Sequence, residues 1–267
     1  MLSHGFGVMV MNGSAITILS GKAGCGKTIL ALNLAVVLGD NNVSRVCLVD
    51  LDLARGDIVS GLGLTGGPSL IAAMTDDARF DSRRLTSLIT PHITGVDCVL
   101  APRGPGESEK ISAHFIEELL TALRSQYDYV VIDTPAEMSS RVLAGLDSSD
   151  HHVLLTTPEI PSVHKTRLAL DILDLIADRA TSRSFVVNRA DAPGGLTESE
   201  IGQVVHAPIA ALLPSSSRVE RSINARVPLA HSHPDHPFVT AVREFAATHI
   251  AATAPFRDAD VTQRRCP

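Results

Sequence analysis

The stretch SGKAGCGKTILALNLA (Ser20–Ala35) constrains this 267-residue chain more than any other. It sets Gly21, Gly26, Lys27 and Thr28 in the order G-x-x-x-x-G-K-[ST], the pattern of a phosphate-binding loop. Ordinary residue usage produces that pattern in roughly one chain in a hundred of this length, so the flanking sequence decides. Before the loop, AITILS (Ala15–Ser20) reads as a short buried strand rich in β-branched residues. After Thr28, ILALNLAVVL is apolar and built largely from helix formers. Strand, glycine loop and helix together are the context that a phosphate loop requires. Glycines let successive backbone N–H groups converge on phosphate oxygens, the helix N-terminus adds partial positive charge, and Lys27 supplies a full one. Thr28 is placed to offer its hydroxyl to Mg²⁺.

Downstream, apolar strands alternate with helical segments. RVCLVD (Arg45–Asp50), VDCVL (Val96–Leu100), YVVID (Tyr129–Asp133), HVLLT (His152–Thr156), SFVVN (Ser184–Asn188) and PIAAL (Pro208–Leu212) read as strands. Helices are predicted over SLIAAM, Asp81–Ile89, Ile111–Leu123, Ile160–Ala177, Val219–Ala225 and Val239–Ile250. Near-continuously apolar strands alternating with helices predict an α/β fold in which helices cover both faces of a mostly parallel sheet. No internal repeat or linker interrupts the pattern. The expected organisation is a short lead over residues 1–14, one domain over 15–252 and a flexible tail over 253–267.

In such sheets ligands bind at the carboxyl ends of the strands. Arg45–Asp50 ends in an acid and continues as Leu51 and Asp52, and Tyr129–Asp133 also ends in one. An apolar strand that terminates in Asp downstream of a phosphate loop is the Walker B arrangement, whose carboxylate orders Mg²⁺ or its waters. Asp52 is the second carboxylate of the DLD run, suited to orienting or deprotonating an attacking water.

The chain has four lysines against nineteen arginines, and two of the four, Lys22 and Lys27, lie in this one loop. A compact ammonium differs chemically from a guanidinium fork, so the bias marks both as functional. The net charge of −6 argues against a sequence-independent grip on DNA, and Arg218, Arg221 and Arg226 read as a solvated helix face. Cys25, Cys47, Cys98 and Cys266 show neither CxxC pairing nor zinc spacing, which fits a reducing cytoplasm. No signal peptide is evident and no apolar run reaches the ~18 residues of a membrane span. The histidines of HSHPDHP (His231, His233, His236) read as a surface loop, and His151–His152 as local packing.

Lys22–Ala23–Gly24–Cys25–Gly26–Lys27–Thr28 resembles the deviant Walker A box KGGxGK[ST] of the ParA/MinD superfamily of dimerising ATPases, with Ala23 where a Gly is usual. The resemblance implies a SIMIBI-type P-loop NTPase fold with ATP and Mg²⁺ as cofactors. It makes Lys22 the residue that reaches the phosphates of a partner's ATP across a two-fold dimer. It further implies that Gly21 through Ile29 contact nucleotide, that Asp52 positions the hydrolytic water, and that Thr28, Asp50 and Asp133 form the metal side. Lys22 and Lys27 join Asp52 as the catalytic set. FVVNR sets Asn188 and Arg189, and LLPSSSRVERSINARVPL sets Pro214, where the family contacts adenine. VDLDLARGDIVSGLGL is similar to switch I, YDYVVIDTPAEM to switch II with Glu137 in place of a common Gly, and TTPEIPSVHKTRLALDIL to the MinD-like TxPE helix.

The LDLARGD segment, the turn at Leu100–Pro102 and the ending most resemble the CpaE/TadZ branch, which localises pilus machinery and usually carries an N-terminal receiver-like domain. The ending AATAPFRDADVTQRRCP does not resemble MinD's basic amphipathic membrane helix. The function expected is a cytoplasmic, ATP-dependent homodimeric switch with slow hydrolysis, a protein partner in a pilus, secretion or division apparatus, and at most peripheral membrane contact. Two alternatives belong to other classes. A ParA-type DNA-partitioning factor would be retained on DNA in its ATP form, and a metabolic P-loop amidoligase or kinase would need a small-molecule acceptor.

Overall fold

A computed structural model describes residues 13–40, 43–104, 106–176 and 181–251. The described residues open with β1 (Ser14–Leu19), α1 (Lys27–Gly39), β2 (Val46–Asp50) and the short α2 (Asp57–Gly61). A peripheral segment follows with α3 (Leu85–Leu88), β3 (Ile89–Pro91) and β4 (Asp97–Val99). Regular alternation then returns with α4 (Ala113–Arg124), β5 (Tyr129–Asp133), α5 (Ser140–Asp147), β6 (His151–Thr156), α6 (Ile160–Ile176), β7 (Ser182–Asn188), α7 (Glu198–Val205) and β8 (Ile209–Leu213). Then come α8 (Ser217–Asn224), α9 (Leu229–Ser232) and α10 (Pro237–Phe245), which runs on into a π-helical turn over Ala246–Ile250.

The eight strands of the described residues form one sheet in the order β3-β4-β2-β5-β1-β6-β7-β8. All neighbours pair in parallel except β3 with β4. The expected α/β fold with a mostly parallel sheet is therefore what the chain adopts. Because side chains alternate along a strand, Ile16 and Ile18 pack under α1 and α10 with Leu34, Phe238 and Val242. Ala15, Val130 and Ile132 face the other way into a layer with Phe115, Leu119 and Leu120 of α4. Leu19, Leu154 and Val187 extend that second layer to Val163 and Leu173 of α6 and Ile201 of α7. Helices thus cover both faces, as the near-continuous apolar strands require.

The main departures lie between β2 and α4. The predicted helix over Asp81–Ile89 is a 3₁₀ turn at Ser82–Arg84 followed by the single turn α3. Asp81 caps that turn, accepting from Arg83 N at 3.1 Å and from its guanidinium at 2.9 and 3.0 Å. Pro91 disfavours helical backbone at Thr90, so the chain leaves as the edge strand β3. SLIAAM is likewise a 3₁₀ turn, over Leu70–Ala73. Ile111 precedes α4, whose N-cap is Ser112. Helices α2, α5, α7 and α9 were not expected. Ala177, Ala252, the tail 253–267 with Cys266, and lead residues 1–12 lie outside the described residues.

Candidate functional site

Strand order places the site. From β1 the chain crosses to β2 beyond β5 on one side, while β6 lies on the other. The carboxyl end of β1 is thus the point where connections diverge, and a crevice opens there. The loop after β1 fills its floor. Gly26 holds φ +97° and ends the loop at α1, where Leu30 N donates to Gly26 O at 3.0 Å. A Cβ there would lie 2.5 Å from Asn188 Nδ2. Gly21 packs so closely on α6 that a Cβ would lie 2.3 Å from Lys165 O and 2.4 Å from its carbonyl carbon. Backbone cannot yield as a side-chain tip can. Gly21→Ala is therefore expected to cost about 1–3 kcal/mol through overpacking, read as a lower urea midpoint. An unchanged midpoint would mean that loop and helix do not meet so closely.

The two loop lysines are in different situations. Lys27 is buried, and its Nζ donates to Ser20 Oγ at 3.2 Å. Lys22 is half-exposed, with Nζ 4.0 Å from Glu159 Oε2. Glu159, which directly precedes α6, also accepts from the Thr157 hydroxyl. Ser20 Oγ donates to Lys22 O at 2.7 Å, so the backbone at Lys22 is anchored while its side chain is held by the surface pair with Glu159. Ala23 and Gly24 are exposed. Cys25 is buried, its Sγ 3.3 Å from Ser162 Oγ.

Asp50 and Asp133 sit side by side in register on β2 and β5. Asp50 uses both oxygens on its own chain, accepting Asp52 N at 3.1 Å and Ile58 N at 3.3 Å. It thereby pins both ends of the loop that carries Asp52. Burial, then the neighbouring Asp133 charge, holds its carboxyl well above the usual range. Asp133 accepts Thr28 Oγ1 at 2.6 Å through Oδ2, while its buried Oδ1 has no hydrogen-bond donor among the described residues. Burial raises its pKa to about 7, against the opposing pulls of the Thr28 hydrogen bond and the Lys27 charge. A buried carboxylate with an idle oxygen, bonded to a threonine hydroxyl, fits a hard divalent cation that takes oxygen ligands.

A cavity of about 400 Å³ lies above the loop, lined by Gly26, Lys27, Thr28, Asp52, Arg55 and Arg189 among others. A second, of about 190 Å³, is lined by Asn188, Arg189, Pro214 and Ile29. Ile29 and Arg189 border both. The structure thus brings Gly24, Gly26, Lys27, Thr28, Ile29 and Asp52 together with the predicted base-side residues, and leaves Gly21, Lys22, Ala23 and Cys25 off the cavity wall. Asn188 carries a duty that its sequence position does not announce: Nδ2 donates to Cys25 O at 2.8 Å, and Oδ1 accepts Arg189 N at 3.0 Å. Arg55, Asp57 and Thr134, which also line the larger cavity, were missed. Their signal was membership of the two segments that resemble switch I and switch II, directly after the two strand-end acids.

Glu137 faces a smaller pocket that shares Asp52. His236 caps α10, accepting Phe238 N at 3.1 Å, and the described residues hold no group of three potential metal ligands. His151 and His152 are buried in β6, where burial lowers the His151 pKa to about 4, so that it packs as a neutral ring.

Residues 13–183 match the family described as an AAA domain. The septum site-determining protein MinD of Bacillus subtilis is 31% identical over 189 residues, covering 66% of this chain and 65% of that protein. The chain belongs to the ParA/MinD superfamily of P-loop ATPases. An uncharacterised ATP-binding protein of Methanocaldococcus jannaschii is 27% identical over 246 residues, covering 89% and 88% of the two chains. Among solved structures, MinD of Pyrococcus horikoshii complexed with Mg-ADP superposes with a TM-score of 0.78 at 23% identity, over 91% of this chain and 99% of that one. That likeness is one of ParA/MinD fold. No helix of the described residues is long and apolar enough to cross a membrane.

Proposed function

We propose that this chain binds ATP with Mg²⁺ and hydrolyses it slowly as a nucleotide-dependent homodimer that switches a protein partner. One observation carries the reading: Lys27, Thr28 and Asp52 meet at one cavity, while Lys22 stands outside it on the same loop. Lys27 and the loop amides bind the phosphates, Asp52 orients the water, and Asn188, Arg189 and Pro214 border the base. Thr28 and Asp133 would hold Mg²⁺, which neutralises charge on the terminal phosphates when bound. Asp50 contributes by fixing the Asp52 loop. The Mg-ADP in the Pyrococcus relative supports the nucleotide and the metal. The MinD relatives and the LDLARGD segment support control of where a division or pilus-type apparatus assembles, from the cytoplasm, with recruitment to a pole, septum or inner membrane face.

Asp52→Ala is the direct test. It should leave ATP affinity within a few-fold of wild type and slow turnover by about 10²–10⁴-fold, the usual worth of a positioned general base. Binding by fluorescent-nucleotide titration and single-turnover phosphate release separate the two quantities. Unchanged release would move the catalytic role to another residue.

A further inference from the structure

Of the cations at the larger cavity, Lys27 belongs to the phosphate loop and Arg189 to the base side, which leaves Arg55 without a role. It sits near the tip of the loop whose ends Asp50 pins through Asp52 N and Ile58 N. The turn is closed by Arg55 N and Gly56 N, which donate to Asp52 O at 3.1 and 2.9 Å. Gly56, at φ +64°, then starts α2. Arg55 and Asp52 are therefore carried by one short segment whose backbone is already fixed. The Arg55 side chain is exposed, lines the cavity above Lys27 and Thr28, and makes no hydrogen bond or ion pair among the described residues.

That placement meets a charge problem. Asp52 and Asp57 line the same cavity, and Asp133 lies behind Thr28. Terminal phosphates arriving there would face several carboxylates with Lys27 as the loop's own counter-charge. A guanidinium with five donors in a planar fork suits the non-bridging oxygens of a phosphoryl group. Arg55 would give up no internal partner to make that contact.

We propose that Arg55 engages the terminal phosphate of ATP bound to its own subunit and stabilises that group during hydrolysis. The inference rests on the ATPase reading above. In the step concerned, water oxygen bonds to the γ-phosphorus as the bond to the β–γ bridging oxygen breaks. The electron pair of that bond stays on ADP, and the water's proton passes to Asp52 and then to solvent. Negative charge on the transferring group is spread over its three outer oxygens. Arg55 supplies donors to those oxygens from the same segment that positions the water.

The test compares wild type, Arg55→Ala and Arg55→Lys in the full chain, by fluorescent ADP and ATPγS titration and by single-turnover phosphate release. Arg55→Ala should keep ADP affinity, lose the wild-type preference for ATPγS over ADP, and release phosphate about 10²-fold more slowly, the scale of removing one preorganised donor. Arg55→Lys should recover only part of the rate, and millimolar guanidinium ion should restore part of it to Arg55→Ala, which a structural defect would not allow. Wild-type preference and rate in Arg55→Ala would overturn the proposal and leave the ATPase reading standing. A wild type that binds ATPγS without releasing phosphate from ATP would overturn the ATPase reading, and the ATPγS preference would still judge Arg55. A wild type that binds no nucleotide would overturn both.

Discussion

Lys27→Ala is expected to weaken nucleotide binding more than any other single change in the loop while leaving the fold intact. Truncating one partner of a buried, charged contact costs about 2–5 kcal/mol, which is roughly thirty- to several-thousand-fold in affinity. Arg55 and Arg189 also line the cavity, but they approach from other elements and cannot take the place of an ammonium rising from the loop. Stability should move little. Lys27 is the first residue of α1, its contact is to Ser20 Oγ, and alanine is the best helix former. Removing a buried ammonium also removes a desolvation cost. Isothermal titration with ATP and a thermal melt on the same sample check both halves. Near-normal affinity would sink the site assignment, and a collapsed melting transition would show that the lysine is structural.

The two halves of that expectation were unequally legible in the sequence. Lys27 and Thr28 lie in a local pattern whose backbone geometry is set by its own glycines, and the alternation of apolar strand runs with helices is the pattern of a covered parallel sheet. Those features survive any long-range contact. Asp50 and Asn188 do not share that independence. Asp50 looks like a metal-side residue because it ends a strand, yet its two oxygens are committed to Asp52 N and Ile58 N. Asn188 stands where a base would be read, yet its amide holds Cys25 O of a loop 163 residues earlier. Both duties depend on which backbone groups the fold brings near.

The peripheral segment was hard to read for a related reason. Leu85–Leu88 has helical composition, but the Asp81 cap on one side and Pro91 on the other leave room for one turn. By contrast α7 carried a usable signal that was passed over. Thr197 and Glu200 form a capping box, with Thr197 N donating to Glu200 Oε2 at 2.7 Å and Glu200 N donating to Thr197 Oγ1 at 3.3 Å.

Lys22→Ala is expected to convert an ATP-dependent dimer into a monomer that still binds ATP. Its target separates it from Lys27, because Lys22 does not line its own subunit's cavity. The contact it does make, 4.0 Å to Glu159 with both side chains nearly half exposed, is a surface pair that contributes little and breaks readily. Its backbone is held by Ser20, so the side chain projects from a fixed point. A lysine so placed can meet phosphates of a second copy, and the γ-phosphate then decides whether two such cations are held close together. Opposite charges about 4 Å apart attract by ~4 kcal/mol at an effective dielectric near 20, enough to couple dimerisation to the bound nucleotide. Lys22→Arg should be nearly as defective, since a guanidinium is bulkier and bonds through a planar fork. Size-exclusion with light scattering, on wild type and both variants in ADP and in ATP, reads the outcome directly. ATP-dependent dimers that persist in Lys22→Ala would leave an ordinary phosphate loop, and the role of Lys22 would shrink to its contact with Glu159.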